Sequence, residues 1–327
     1  MKILTRLLLA LSLIACGPQS ERATAQSVNL RTYYSRADGK KKAELKTAMY
    51  QIIGSPKVLD YGALWSGFYD TDRMADNQVR DRYSNEKRYF SGKSNNAVSG
   101  MNKEHGIANS WWGKTKNAAY SDLHHLMPSD IQANSDKSNF GMGIVTKVSK
   151  TNGSIKVGKG TAGNNGTVNL WEPADNWKGD FARIYFYLVT AYQELNMVQT
   201  EGANTMQTNT YPKLQPWAYQ LYLKWSREDP VDDIERARND AVYKIQGNRN
   251  PFIDYPTLAE FIWGDSTAYA FDVTQSHIPA THVKSPRAGG AEEEVYDVSG
   301  RRVPPRQNKG GVQVVRRRGT TTKRVVK

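Results

Sequence analysis

The sequence predicts an α+β protein in which a small, irregular β-containing centre is wrapped by helices that lie mostly downstream of it. Phe181, Ile184, Tyr185, Leu188, Val189, Tyr192 and Leu195 follow steps of three and four, the spacing of one helix face turned to a core. Between residues 143 and 170, glycine and asparagine turn signals instead bound alternating segments such as Ile144-Val145-Thr146-Lys147-Val148, the pattern of short strands or a hairpin. Eight tryptophans, from Trp65 to Trp263, supply large rings for a core, and beyond Pro286 the only aromatic residue is Tyr296. The core therefore ends before the C-terminal forty or so residues.

Taken in order, residues 1–25 read as an export signal. Lys2 and Arg6 precede the nine-residue apolar run Leu7 to Ala15, which is too short to span a bilayer as a helix. Two processing sites compete. Leu13-Ile14-Ala15-Cys16 resembles a lipoprotein signal and would put a lipid anchor on Cys16, whereas Ala23-Thr24-Ala25 fits ordinary cleavage after Ala25. Cys16 is the only cysteine, so the exported domain has no intramolecular disulfide, thiol nucleophile or cysteine-based zinc site.

Residues 26–285 then read as the catalytic domain. Residues 43–53 predict a helix with Leu45, Met49, Ile52 and Ile53 on one face, ended by Gly54 and Pro56. The polar stretch up to residue 100 reads as loop with short strands, and residues 120–126 as extended chain. Pro128-Ser129-Asp130 forms the entry to a short helix over 131–137. A second downstream helix covers 216–225. A third starts at the Asp229-Pro230 cap and runs through Val231, Ile234, Ala241, Val242 and Ile245 to Gly247. Its Asp232, Asp233, Glu235, Arg236 and Arg238 are expected on a solvated face. Residues 258–263 make a last short helix.

The net charge of +13 invites a nucleic-acid reading, but its distribution weakens that argument. From Tyr296 to Lys327 there are ten basic residues and one acidic, and residues 1–25 hold three basic and one acidic, so the body is nearly neutral. A nucleic-acid function has to rest on the chemistry of a site. Three of the five histidines fall in residues 102–140, among amides and carboxylates. Glu104-His105 pairs a ligand for a hard metal with a base whose ordinary pKa is near 6.5, suited to taking a proton from water. Neighbours on a strand point to opposite faces, so both can serve one site only where the strand twists or ends. Asn134, on the helix over 131–137, offers a neutral oxygen that suits the same cation. One of His124 and His125 faces the core and the other the site, with His125 favoured for the site. Asp122 either orients a histidine or caps a turn.

EHxxxxSWWG, YSDLHHLMPSD and ANSDKSNFG, in this order, resemble the bacterial endonuclease I family, secreted or periplasmic nucleases with a ββα-metal (His-Me finger) core. WEPADNWKGDFARIYFYLVTAY and DPVDDIERARNDAVYKIQGNRNPFIDYP extend the resemblance through the helical half, to cover residues 40–264. It implies a ββα-metal core wrapped by helices. His105 would be the general base, with His125 supporting it, and Glu104 and Asn134 would hold one divalent cation, Mg2+ with Mn2+ or Ca2+ as alternatives. The substrate would be DNA and also RNA, cut with little sequence preference to leave 5′-phosphates, and the protein a monomer. Lys137 stands where arginine is usual and Arg249 lies in GNRNPF; both are candidate phosphate contacts. Residue 108 is alanine where many relatives carry proline, and Tyr120 stands where some place an acid. Trp111 and Trp112 could stack on bases, although one is expected in the core.

Residues 286–327 form a linker and tail. Val295-Tyr296-Asp297-Val298-Ser299-Gly300-Arg301-Arg302-Val303 and the closing Lys323-Arg324-Val325-Val326-Lys327 resemble the small β sorting modules of type IX secretion, which would make the export machinery a partner. The rival reading is a basic arm that concentrates nucleic acid near the body. For the whole protein the alternative to an exported endonuclease is a surface nucleic-acid-binding lipoprotein whose catalytic site has decayed.

Overall fold

The computed structural model describes residues 28–275 and, further on, residues 294–296, 302–303, 311–317 and 320–326. The export signal, Cys16, the last residues of the catalytic domain (276–285) and residues 286–293 of the linker lie outside the described residues. Asn29 caps a short helix α1 (Leu30–Tyr33) by accepting the Thr32 N–H. Helix α2 (Lys42–Ile53) follows, within a residue of expectation, and buries Leu45, Ala48, Met49 and Ile53. The polar stretch after it holds a further helix, α3 (Leu64–Thr71), that the sequence pattern did not predict. Its two turns are too short to show a period. The burial of Leu64, Trp65 and Phe68 against Val79, Phe90, Leu123 and Val242 stabilises it.

Strand β1 (Met101–His105) pairs antiparallel with β2 (Leu126–Asp130), with His105 opposite Leu126 and Met101 opposite Asp130. Of residues 120–126, expected to be extended, the first two instead end a 3-10 turn (Ala118–Ser121), and only Leu126 lies in a strand. Helix α4 (Ile131–Lys137) leaves directly from β2, capped by Asp130, whose Oδ1 accepts the Ala133 N–H at 2.8 Å. The result is a ββα unit.

Strands β3 (Gly141–Met142), β4 (Lys147–Thr151), β5 (Lys156–Thr161) and β6 (Thr167–Glu172) form a second sheet in the order β3-β6-β5-β4, antiparallel except where β3 joins β6. Helix α5 (Lys178–Ala191) was expected to bury one face, yet every residue from Gly179 to Ala191 is buried. It is the central helix. Helix α2 packs on one side of it and α6 (Pro216–Glu228) on another, leaving no side for water.

Helix α7 (Asp233–Gln246) begins four residues after the predicted cap, because Asp232 caps it by accepting the Glu235 N–H at 2.9 Å. Asp229 serves α5 instead, taking the Gly179 N–H at 2.8 Å. Gly247, at φ +75°, ends α7 in the left-handed conformation that glycine adopts without steric cost. The mixed-sign face of α7 is only partly solvated: Asp233 and Arg236 are exposed, while Glu235 and Arg238 are buried. Glu235 accepts Arg183 Nε at 2.8 Å, and Arg238 Nε meets Asp72 Oδ1 at 2.9 Å. Such charges stay buried because each has an opposite partner in hydrogen-bonding geometry. Arg238 Nη2 also donates to the Leu126 carbonyl at 3.0 Å and so ties α7 to β2.

Helices α8 (Pro251–Asp254) and α9 (Leu258–Ile262) close the body. In the tail, β7 (Glu294–Tyr296), β8 (Arg302–Val303), β9 (Gly311–Arg317) and β10 (Thr320–Val326) form an antiparallel sheet in the order β10-β9-β7-β8. Among the described residues, no helix is long and apolar enough to cross a membrane.

Candidate active site

Glu104 and His105 end strand β1, and both are buried, 6 % and 5 % exposed. Their side chains diverge as strand neighbours must. Glu104 meets α4, where Lys137 Nζ lies 2.6 Å from its Oε1. His105 meets the 3-10 turn, where its Nε2 lies 3.1 Å from the Tyr120 carbonyl. A carbonyl only accepts, so Nε2 carries the proton of the neutral ring and Nδ1 keeps the lone pair. Gly106 then brings the chain against β2: its N–H donates to the His125 carbonyl at 2.8 Å, and a Cβ there would lie 3.2 Å from that oxygen.

His125 repeats the arrangement, with Nε2 2.6 Å from the Ala119 carbonyl and Nδ1 buried without a partner among the described residues. The two imidazoles lie 5.4 Å apart, and Trp112 sits 6.1 Å from each. Burial, together with the neighbouring His125, pushes the His105 pKa down to about 3, and burial lowers His125 as well. His105 is therefore the free base at neutral pH. His124 turns the other way, to the Asn248 carbonyl at 3.1 Å and the Tyr187 ring. Asp122 caps the turn through the His124 N–H at 2.8 Å and accepts the hydroxyls of Tyr187 and Tyr192 at 2.6 and 2.7 Å. It touches neither imidazole ring.

Burial raises the Glu104 pKa and Lys137 opposes that rise. Lys137 itself is fully buried, reaches the His105 carbonyl at 3.2 Å and stands 5.2 Å over the Trp171 ring. The expected phosphate contact is thus an internal counter-ion to Glu104. Asn134, one helical turn before Lys137 on α4, is half-buried, and its amide has no hydrogen-bond partner among the described residues. A carboxylate and a neutral amide oxygen are the donor types that a hard divalent cation takes. Among the described residues, no group of three or more His, Cys, Asp and Glu could hold a metal ion.

Arg249 is also withdrawn from the substrate role. Its Nε and Nη2 each lie 2.7 Å from the Asp254 carboxylate, and Nη1 lies 2.7 Å from Asp240. Arg249→Met is expected to cost about 3 kcal/mol of stability by leaving Asp254 buried and unpaired, with KM for nucleic acid unchanged. Urea unfolding beside steady-state kinetics checks this; a raised KM at unchanged stability would return Arg249 to the substrate. Trp111 and Trp112 are both core residues.

Sequence reasoning missed two groups beside the base. The Tyr61 ring stacks on His105, centroids 6.2 Å apart and planes within 11°, and Lys103 stands 4.4 Å over Tyr61 while donating to its carbonyl. Lys103 adjoins Glu104 in the motif and so carried a local signal. Tyr61 precedes α3, far along the chain, and had none.

The ββα unit thus holds a neutral imidazole aimed by a backbone carbonyl and a buried carboxylate paired with an internal cation. Residues 41–257 match the protein family described as Endonuclease I. The chain is 36% identical over 256 residues to the extracellular ribonuclease of Bacillus amyloliquefaciens, spanning 75% of this chain and 83% of that protein. It is 35% identical over 241 residues to the extracellular ribonuclease of Bacillus subtilis, spanning 71% and 78%. With the extracellular deoxyribonuclease of Aeromonas hydrophila, identity is 28% over 144 residues, 42% of this chain and 50% of that one. On a match that runs from helix α2 to α8 and includes the whole ββα unit, the chain belongs to the endonuclease I family.

Proposed function

We propose that this nuclease is an exported, divalent-metal-dependent endonuclease that hydrolyses phosphodiester bonds of DNA and RNA with little sequence preference and leaves 5′-phosphate ends. The observation that carries the reading is His105: its Nε2–H is held by the Tyr120 carbonyl and its ring is kept neutral by burial, at the end of the strand whose preceding residue, Glu104, turns to the helix that bears Asn134. The names of the relatives support action on both nucleic acids outside the cell.

His105 takes a proton from water at Nδ1 as the water oxygen bonds to phosphorus. The bond to the 3′ oxygen breaks, and that oxygen takes a proton from solvent water to become a hydroxyl, while His105 returns its own proton to solvent. His125, wedged between Trp112 and the Ala119 carbonyl, keeps the neighbouring ring in place. Lys137 holds Glu104 ionised and aimed before substrate arrives. Glu104 and Asn134 would hold Mg2+, with Mn2+ or Ca2+ as alternatives, and the bound cation supplies Lewis-acid stabilisation of charge on the phosphate and on the leaving oxygen.

Incubating the protein with supercoiled plasmid and with RNA is expected to give nicking and fragmentation in Mg2+ and none in EDTA. Tight binding without cleavage across Mg2+, Mn2+ and Ca2+ would instead identify a decayed nucleic-acid-binding protein. Glu104→Gln and Asn134→Ala should each weaken Mn2+ binding at least about tenfold, the smallest effect usual even for groups beyond the ligands themselves. Calorimetric titration reads this without reference to activity. The export route has its own test: mass spectrometry of the mature N-terminus distinguishes acylated Cys16 from cleavage after Ala25, and of the C-terminus whether the tail is removed.

A further inference from the structure

The β3-β6-β5-β4 sheet carries a charge pattern that its own stability does not explain. Lys147 on β4 lies directly opposite Lys159 on β5, and Lys150 opposite Val157, which in turn faces Trp171 on β6. Paired residues project from the same face of a sheet, so Lys147, Lys150 and Lys159 share the face of Trp171. That is the ring beneath Lys137, the counter-ion of Glu104. Lys150 Nζ also reaches Asp136 of α4 at 2.6 Å, so the lysine face runs into the helix that bears Asn134.

Like charges placed opposite each other destabilise a strand pair. Lys147 and Lys159 are both exposed, and neither has an ion-pair partner among the described residues. Lysine often guards an edge strand against other chains, which would account for β4. It does not account for Lys159, because β5 is an inner strand between β4 and β6. A polyanion laid across the face would neutralise both ammonium groups at once.

We infer that the exposed lysine end of this face, beyond the buried Val157 and Trp171, carries the phosphates of a nucleic-acid strand running to or from the cleavage site, with Lys147 and Lys159 as the contacts. The inference rests on the nuclease reading. Contacts of this kind read no bases and so fit a sequence-tolerant enzyme.

The test is a Lys147→Gln/Lys159→Gln double variant of the full chain, titrated with a fluorescein-labelled DNA strand in EDTA over a range of salt. Loss of two phosphate contacts should reduce the slope of log affinity against log salt by roughly 1.4–1.8. In Mg2+, KM for long nucleic acid should rise, while cleavage of a small nitrophenyl phosphodiester stays at the wild-type rate. Melting temperature should hold or rise, since a repulsive pair is gone. Equal salt slopes in variant and wild type would overturn the surface, as would self-association of the variant with unchanged affinity, the mark of lysines that only guard an edge. A wild type that shows the lysine-dependent slope yet cuts neither substrate would refute the nuclease reading and keep the surface.

Discussion

Replacing His105 with alanine is expected to lower kcat for nucleic-acid cleavage by about 10²–10⁴-fold, the usual contribution of a positioned general base. Binding of the DNA strand and of Mn2+ should be unchanged, because Glu104 points away from the ring toward Lys137 and α4. Some stability should be lost as well, since the ring is buried against Tyr61, Tyr120 and Trp112 and donates to the Tyr120 carbonyl. His125→Ala should behave differently. That imidazole is wholly buried between Trp112 and the Ala119 carbonyl, so its removal leaves a cavity as well as a loosened His105. Single-turnover cleavage beside thermal melting separates the two variants. A His105→Ala protein that cuts at the wild-type rate would move the base elsewhere.

The second large effect concerns stability. Asp72 is fully buried and accepts Arg82 Nη1 at 2.8 Å and Arg238 Nε at 2.9 Å. Asp72→Ala would leave Arg238 buried without its carboxylate and Arg82 with only Asp180, at 3.6 Å, and a loss of about 3–5 kcal/mol in urea unfolding is expected. Activity should fall too, because Arg238 also holds the Leu126 carbonyl directly after His125. A loss below about 1 kcal/mol, the scale of exposed ion pairs, would sink the assignment.

The same burial sets the response to acid. Burial alone would raise the Asp72 pKa, but Arg238 and Arg82 outweigh it and bring the group from 3.8 down to about 2. A lowered carboxylate contributes stability above its unfolded value, and that stability is lost as pH falls through the folded one. His124 adds an earlier loss. Burial lowers it from 6.5 to about 4, so between those values the unfolded chain binds a proton that the folded chain refuses. Stability should therefore decline from pH 6.5 downward through His124, joined by His105 and His125, which burial lowers in the same way, and again from 3.8 to 2 through Asp72. Denaturant midpoints across that range check both steps, and Asp72→Ala should remove the lower one.

Much of the fold was legible where a pattern is local and repeated. The apolar spacing in α2, α5 and α6, and the turn-bounded strands between residues 143 and 170, announced themselves without tertiary information. Helix α3 did not, since two turns show no period, and the start of α7 was misread because Asp229 and Asp232 are equally good caps in sequence. The site divides in the same way. Glu104, His105, His125 and Asn134 lie within one stretch whose residue types state their chemistry. Lys137 and Arg249 are also chemically apt for phosphate, yet their cationic groups are taken up by Glu104 and by Asp254 and Asp240.

By itself, then, the sequence determined the α+β class, the ββα motif and the stretch that holds the candidate site residues, because each depends on residues near one another in the chain. Only the tertiary structure decided which charges are solvated and which are paired. The burial of Lys137, Glu235, Arg238 and Arg249 depends on partners brought from distant segments, and a cation confined beside a carboxylate at 2.6–2.9 Å cannot also serve a phosphate. The lysines left for that task stand on β4 and β5, where strand register rather than sequence spacing places Lys147 opposite Lys159.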